Sequence, residues 1–273
     1  MKKNKTKSSK PKVIVLRTAG TNCDQEAVFA FESAGAKVDA VHINRIFGGA
    51  VKLKDYHIMV IPGGFTYGDD IESGRILANE LRVHLADDIK KFIKDGKLII
   101  GICNGFQVLV RAGILPGPLA KKKDFLFKQT ATLTNNDGGR FQDRWIYLQV
   151  CGDNIWTKGL EKTIYFPIAH AEGKFVPQNN TLLQQLKDNG QVAFRYCNAK
   201  GRVGGADNPN GSVDDIAGIT DRTGRILGLM PHPERHFLFA HHPRWTRFQK
   251  KGKYGDGAQL FRNGVDYVKK KLL

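Results

Sequence analysis

Leu98-Ile99-Ile100-Gly101-Ile102-Cys103-Asn104-Gly105-Phe106-Gln107 carries an apolar, isoleucine-rich run into a turn of small residues and then directly into a helical pattern. The run reads as a buried strand and the turn as a nucleophile elbow. In an elbow, a sharp strand-to-helix turn lifts one side chain above the sheet edge, and flanking glycines let the backbone fold that tightly. A thiol at that point lies near the amino end of a helix, where partial positive charge favours thiolate, the attacking species in acyl transfer. The competing account is a packed core cysteine, since free cysteine is among the most buried residue types. Glycines on both sides, Gly101 and Gly105, weigh against it.

Outward from the elbow, the chain alternates strand and helix patterns. Val13 to Leu16, Val38 to Ile43 and Ile58 to Ile61 are short runs rich in β-branched residues, expected as strands. Ala27, Phe31 and Ala34 follow helical spacing and stop at Gly35, and Leu85, Ile89, Phe92 and Ile93 line one face of a helix closed by Asp95-Gly96. Such alternation means βαβ units, so the expected fold is α/β: an open, mostly parallel sheet with helices on both faces. The second half is less regular. Trp145 to Val150 and Gln191 to Tyr196 read as strands, and Asn208-Pro209-Asn210-Gly211-Ser212 as a turn. Ile216 to Ile219 and Arg225 to Met230, flanking Asp221-Arg222-Thr223-Gly224, form an antiparallel hairpin extension. A last helix is expected over Gly257 to Leu272, and Phe237 to Gly257 fits no pattern.

With 273 residues, 41% of them hydrophobic, and no internal repeat or long linker, the chain is expected to hold one globular domain over residues 13–273 behind a basic, disordered tail, residues 1–12. Its four cysteines, Cys23, Cys103, Cys151 and Cys197, form no metal-like pair and suit a reducing cytoplasmic setting better than a disulfide framework. No apolar run reaches transmembrane length, and the basic amino terminus lacks the apolar core of a signal peptide. A membrane is therefore not expected as a partner. The net charge of +17 raises nucleic acid as a partner, but six lysines lie in residues 1–12 and others cluster at Lys121 to Lys123 and near the carboxyl end. No nucleic-acid motif accompanies them, so a solubilising surface is the preferred account.

Open parallel sheets place their sites at the carboxyl ends of the strands. Three loops leave strands at that rim: Thr18 to Asp24, Pro62 to Asp70, and Cys103 to Gln107. Gly63-Gly64 follows a buried strand, and adjacent glycines let backbone N–H groups face a ligand as an oxyanion hole requires; an ordinary tight turn is the alternative. A cysteine nucleophile also needs a base and an orienting acceptor. His232, in Pro231-His232-Pro233-Glu234, stands out among eight histidines. Prolines on both sides exclude a regular helix and imply an extended segment, in which Glu234 shares a side with His232 and reaches one of its nitrogens. A proline-rich surface turn is the bland alternative. Cys23, on the same rim at a helix start, ranks second as nucleophile because it lacks flanking glycines. His232, His236, His241 and His242 match no zinc spacing, and no metal is expected.

Gly101-Ile102-Cys103-Asn104-Gly105-Phe106-Gln107 together with Pro231-His232-Pro233-Glu234 resembles the class I, triad glutamine amidotransferases, whose sheet is flavodoxin-like. Pro62 to Asp70, Phe141-Gln142-Asp143-Arg144-Trp145, Pro167-Ile168-Ala169-His170-Ala171-Glu172-Gly173 and Asn208 to Ser212 narrow the resemblance to the glutaminase subunits of phosphoribosylformylglycinamidine synthase, over about Val13 to His236. The resemblance implies a Cys103-His232-Glu234 triad that hydrolyses glutamine to glutamate and ammonia through a thioester. It also implies an oxyanion site at Gly63-Gly64 and Asn104, with Gln107 lining the glutamine pocket. Ammonia would pass to a large ATP-dependent synthetase subunit, with a small bridging subunit, to make formylglycinamidine ribonucleotide in purine (IMP) biosynthesis. ATP and magnesium would belong to that partner, and this chain, too short to include the ATP-using part, would need no cofactor of its own. The alternatives are another cysteine hydrolase on a similar sheet, or a basic nucleic-acid-binding protein.

Overall fold

The computed structural model describes residues 9–118, 127–249 and 252–273. Of the basic stretches, residues 1–8 and Lys121 to Lys123 lie outside the described residues, whereas Lys12 opens the first strand.

The chain runs β1 (Lys12–Arg17), α1 (Asp24–Ser33), β2 (Lys37–His42), α2 (Ile43–Phe47), β3 (Ile58–Ile61), α3 (Arg75–His84), α4 (Ala86–Lys94), β4 (Leu98–Ile102) and α5 (Asn104–Arg111). It continues as β5 (Ala131–Thr134), β6 (Gln142–Val150), β7 (Thr163–His170), β8 (Lys174–Pro177), α6 (Asn180–Asp188), β9 (Val192–Cys197), β10 (Ile216–Thr220), β11 (Ile226–Leu229) and α7 (Gly257–Lys271). One sheet has the order β2-β1-β3-β4-β11-β10-β9-β6-β7, and β5 pairs with β8 in a separate ribbon. The half from β2 to β11 is parallel, and the half from β11 to β7 is antiparallel. The expected hairpin is present as β10–β11, and it leads into three further antiparallel strand pairs rather than ending the sheet.

Burial explains why the central strands were legible. Every residue of β3, β4 and β11 is buried, as strands covered by helices on both faces must be. α1 packs with α7, while α3 packs on α5 and α4. Helix α5 is buried on all sides, even at Gln107 and Arg111. Its approach to the sheet depends on missing side chains: a Cβ on Gly105 would lie 1.8 Å from the Ile61 carbonyl oxygen, and one on Gly101 would lie 2.5 Å from the Gly105 oxygen. The two glycines flanking Cys103 thus let the helix seat directly on β3 and β4. Among the described residues, no helix is long and apolar enough to cross a membrane.

Candidate active site

Cys103 sits between the last residue of β4 and the first of α5 with φ 52° and ψ −107°. A non-glycine residue with positive φ is strained, typically by about 1–3 kcal/mol, and such strain survives only where the surroundings enforce it. Here the enforcement comes from backbone bonds on both sides: Cys103 N–H donates to the Leu229 carbonyl (2.8 Å), and its own carbonyl accepts from Phe106 N–H (2.9 Å). The thiol is 5% exposed and points toward the Ala169 carbonyl, 3.6 Å away.

His232 follows β11, the strand paired in parallel with β4, so the sheet itself brings His232 and Cys103, the candidate base and nucleophile, to one rim. Its N–H donates to the Pro167 carbonyl (2.9 Å), and its Nδ1 meets Glu234 Oε1 at 2.5 Å. Both side chains are almost fully buried. The pairing expected from sequence is present, but its backbone is not extended. Pro233 opens a one-turn helix, Pro233–His236, with His232 as its cap. Proline fits the first position of a helical turn, since its fixed φ is already right and its missing N–H is not needed there. The turn, rather than strand alternation, folds Glu234 back onto His232. Burial by itself would lower the His232 pKa; the Glu234 carboxylate and then the Cys103 sulfur outweigh it and hold the imidazole well above its usual range. The other ring nitrogen, Nε2, is buried without a hydrogen-bond partner, and the sulfurs of Cys103 and Cys23 both help to raise the pKa of the ring.

Gly63 lies between these groups. A Cβ there would meet His232 Cε1 at 2.8 Å, Cys23 Sγ at 3.1 Å and Cys103 Cβ at 3.4 Å. Gly63-Gly64 is therefore a turn pressed against Cys103 and His232. Its neighbours tie it to the 18–24 loop, with Cys23 N–H on the Gly63 carbonyl (3.3 Å) and Phe65 N–H on the Gly20 carbonyl (2.9 Å).

Asn104 and Gln107 are also at the site, and their side chains are engaged. Asn104 Nδ2 donates to Asp69 Oδ1 and Gln107 Oε1 (3.0 Å each), Thr66 Oγ1 donates to Asn104 Oδ1 (2.7 Å), and Gln107 Nε2 donates to the Glu172 carbonyl (2.6 Å). Sequence reasoning missed the anchor of this network. Arg111, buried at the end of α5, reaches Glu72 (2.7 Å), Glu172 (3.5 Å) and the Ser73 carbonyl (2.8 Å). The visible signal was a lone arginine in an apolar helical run. Cys23, ranked second as nucleophile, is 3% exposed against His232. Burial pushes its thiol pKa up, only partly offset by contact with His232. Of the expected-structural pair, Cys197 is buried and Cys151 half-buried in the antiparallel half. His236 Nδ1 bonds to the Tyr165 carbonyl, and His241 and His242 lie among aromatic rings, so these histidines build packing rather than a ligand set.

His170 is a second buried histidine near His232, and among the described residues neither ring nitrogen has a partner. Burial first, and the His232 charge second, push its pKa down to about 3. The folded protein therefore keeps this ring neutral while the unfolded chain protonates it below about pH 6.5, so stability is lost as pH falls through that window. By pH 5 the loss from this one group is about 2 kcal/mol. In urea unfolding at pH 7.5 and pH 5, His170→Phe, which keeps a ring beside Gly173, is expected to remove that share of the acid sensitivity; an unchanged pH dependence would refute it.

This rim brings a strained cysteine and a buried His–Glu pair together, the groups that nucleophilic acyl transfer uses. A family model described as a CobB/CobQ-like glutamine amidotransferase domain matches residues 10–268, which places the fold among the glutamine amidotransferases. Phosphoribosylformylglycinamidine synthase subunit PurQ of Dehalococcoides mccartyi is 45% identical over 263 residues, 96% of this chain and 99% of that one. Its counterpart from Archaeoglobus fulgidus is 42% identical over 276 residues, covering 95% and 97%. A solved structure titled PurLQS from Thermotoga maritima superposes with a TM-score of 0.71 at 30% identity, covering 95% of this chain and 99% of that one. The chain belongs to the PurQ family.

Proposed function

We propose that this chain is the glutaminase subunit of a phosphoribosylformylglycinamidine synthase, acting through Cys103, His232 and Glu234. The observation that carries the assignment of roles is Cys103 held at positive φ beside a buried His232–Glu234 pair. Cys103 thiolate attacks the side-chain amide carbon of glutamine, and the carbonyl oxygen becomes an oxyanion. Backbone N–H groups at Gly64 and Asn104 receive that charge, with Gly63 keeping the turn close enough to do so. His232 gives its proton to the departing nitrogen, so ammonia leaves and a glutamyl thioester remains. It then takes a proton from water, hydroxide attacks the thioester, and glutamate departs as the Cys103 thiolate returns. Glu234 fixes the tautomer of His232 and stabilises its charged form. Gln107 and the Glu172 turn would form one wall of the glutamine pocket.

The ammonia serves a large ATP- and magnesium-dependent synthetase subunit, which converts formylglycinamide ribonucleotide to the amidine, with a small subunit bridging the two. Phe65, 45% exposed in the Pro62 to Asp70 loop, and Ile71, 76% exposed just after it, offer apolar surface for such a partner. The test is a glutaminase assay with and without the cognate synthetase, using glutamine labelled at the amide nitrogen. Glutamate release by the complex, with label in the amidine, is expected. Absence of glutamate from the assembled complex would overturn the assignment.

A further inference from the structure

A second sulfur faces the catalytic histidine. Cys23 caps α1 on the rim loop after β1, and the sheet order places that loop beside the Gly63 turn. Its Sγ, a His232 ring nitrogen and a Glu234 carboxylate oxygen lie within 4.8 Å of one another. Two of these residues also hold unused donor atoms: His232 Nε2 and Glu234 Oε2 are buried with no hydrogen-bond partner. The triad accounts for the free Nε2, which must face Cys103, but leaves Oε2 unexplained.

The sulfur is held in place rather than loosely packed. Arg235 Nη2 donates to Cys23 Sγ at 3.1 Å, the thiol donates to Asn22 Oδ1 at 3.2 Å, and the Gly63 backbone closes one side. Thiolate, imidazole and carboxylate are the three donor types zinc accepts, at about 2.0–2.3 Å each, and three protein ligands leave a fourth position open. We propose that Cys23, His232 Nδ1 and Glu234 form a capture site for a thiophilic divalent cation, zinc or cadmium.

Capture displaces the Cys23 thiol proton and the proton shared by His232 Nδ1 and Glu234, so up to two protons are released and no oxidation state changes. The bound ion takes His232 out of proton transfer and stops glutamine hydrolysis until a chelator removes it. Selectivity follows from the sulfur: magnesium and calcium prefer all-oxygen shells and do not compete. An enzyme whose partner works with magnesium would thus remain sensitive to trace soft metal.

The inhibition part rests on the function proposed above; the binding part does not. Cadmium is titrated into the full chain, and binding is followed by sulfur-to-metal charge-transfer absorption and calorimetry, with zinc as competitor and magnesium as control. One equivalent is expected to bind with proton release. Cys23→Ser should weaken binding at least about tenfold, the lower bound for disturbing a metal site's support, and Cys103→Ser should retain the site. Equal affinity in Cys23→Ser would overturn the proposal, as would loss of binding in Cys103→Ser alone, which would mark a simple Cys103–His232 pair. In the assembled complex, zinc inhibition is scored against each variant's own metal-free rate. Chelator-reversible inhibition that shifts at least about tenfold in Cys23→Ser supports the site. Inhibition that does not shift counts against it. A complex with no glutaminase at all would sink the proposed function while leaving the binding result to decide this one.

Discussion

Cys103→Ala is expected to lower glutamine-dependent amidine formation by at least about 10⁴-fold while ammonia-dependent formation by the reconstituted complex stays at the wild-type rate. The size follows from the kind of group removed. Without a nucleophile no thioester forms, and what survives is the modest acceleration from oxyanion donors and binding alone. The split between the two nitrogen sources follows from location, because Cys103 lies at the proposed glutamine site and added ammonia bypasses that chemistry. Alanine keeps the Cβ and the bonds of Cys103 N–H to Leu229 and of its carbonyl to Phe106, so the elbow itself should persist. Cys23 is not placed to substitute. Its sulfur is tied to Asn22 and Arg235 at an unstrained helix cap, whereas Cys103 alone stands on the strained turn between β4 and α5. Full glutamine-dependent activity in the variant would transfer the nucleophile role away from Cys103.

The sequence was readable where a local rule and the tertiary structure agreed. β3 and β4 are unbroken apolar runs bounded by turn residues, and both strands fall where those runs lie. Gly101 and Gly105 announced the close seat of α5, and Gly35 and Gly96 marked helix ends, each with positive φ. α3 escaped notice because its buried Leu77, Ala78 and Leu81 sit among charged and polar neighbours with no capping residue, Gly74 standing at its start. β7 also escaped, although Ile164, Phe166, Ile168 and His170 alternate inward. Pro167 argues against a strand, and it is tolerated because β7 is the edge of the sheet. In the site, the chemistry of His232 and Glu234 was legible but their backbone was not, since two prolines fit either an extended segment or the start of a helical turn. The place of Cys23 against His232 was beyond local reading. It follows from the order β1-β3-β4-β11, which only the assembled sheet defines.

Glu234→Gln and His232→Ala should separate orientation from proton transfer. His232→Ala removes the group that must protonate the leaving nitrogen and later activate water, so its loss should approach that of Cys103→Ala. Glu234→Gln leaves the base in place but replaces a carboxylate that accepts from Nδ1 by an amide that can donate to it, which favours the wrong tautomer. A loss of about 10⁴-fold in kcat follows the corresponding change in a serine-type triad, and a loss of that order is expected here. The glutamine KM should stay near wild type, because Glu234 is buried behind the imidazole and touches no substrate. A pH profile adds a second signature. The Glu234 carboxylate is the strongest of the influences raising the His232 pKa, so without it the imidazolium gives up its proton at lower pH. The alkaline limb of kcat should therefore move to lower pH in Glu234→Gln, a shift that a purely structural role would not produce. Equal glutaminase rates in wild type and both variants would refute the triad. A Glu234→Gln loss carried by KM, with an unmoved pH profile, would instead make Glu234 part of the glutamine pocket.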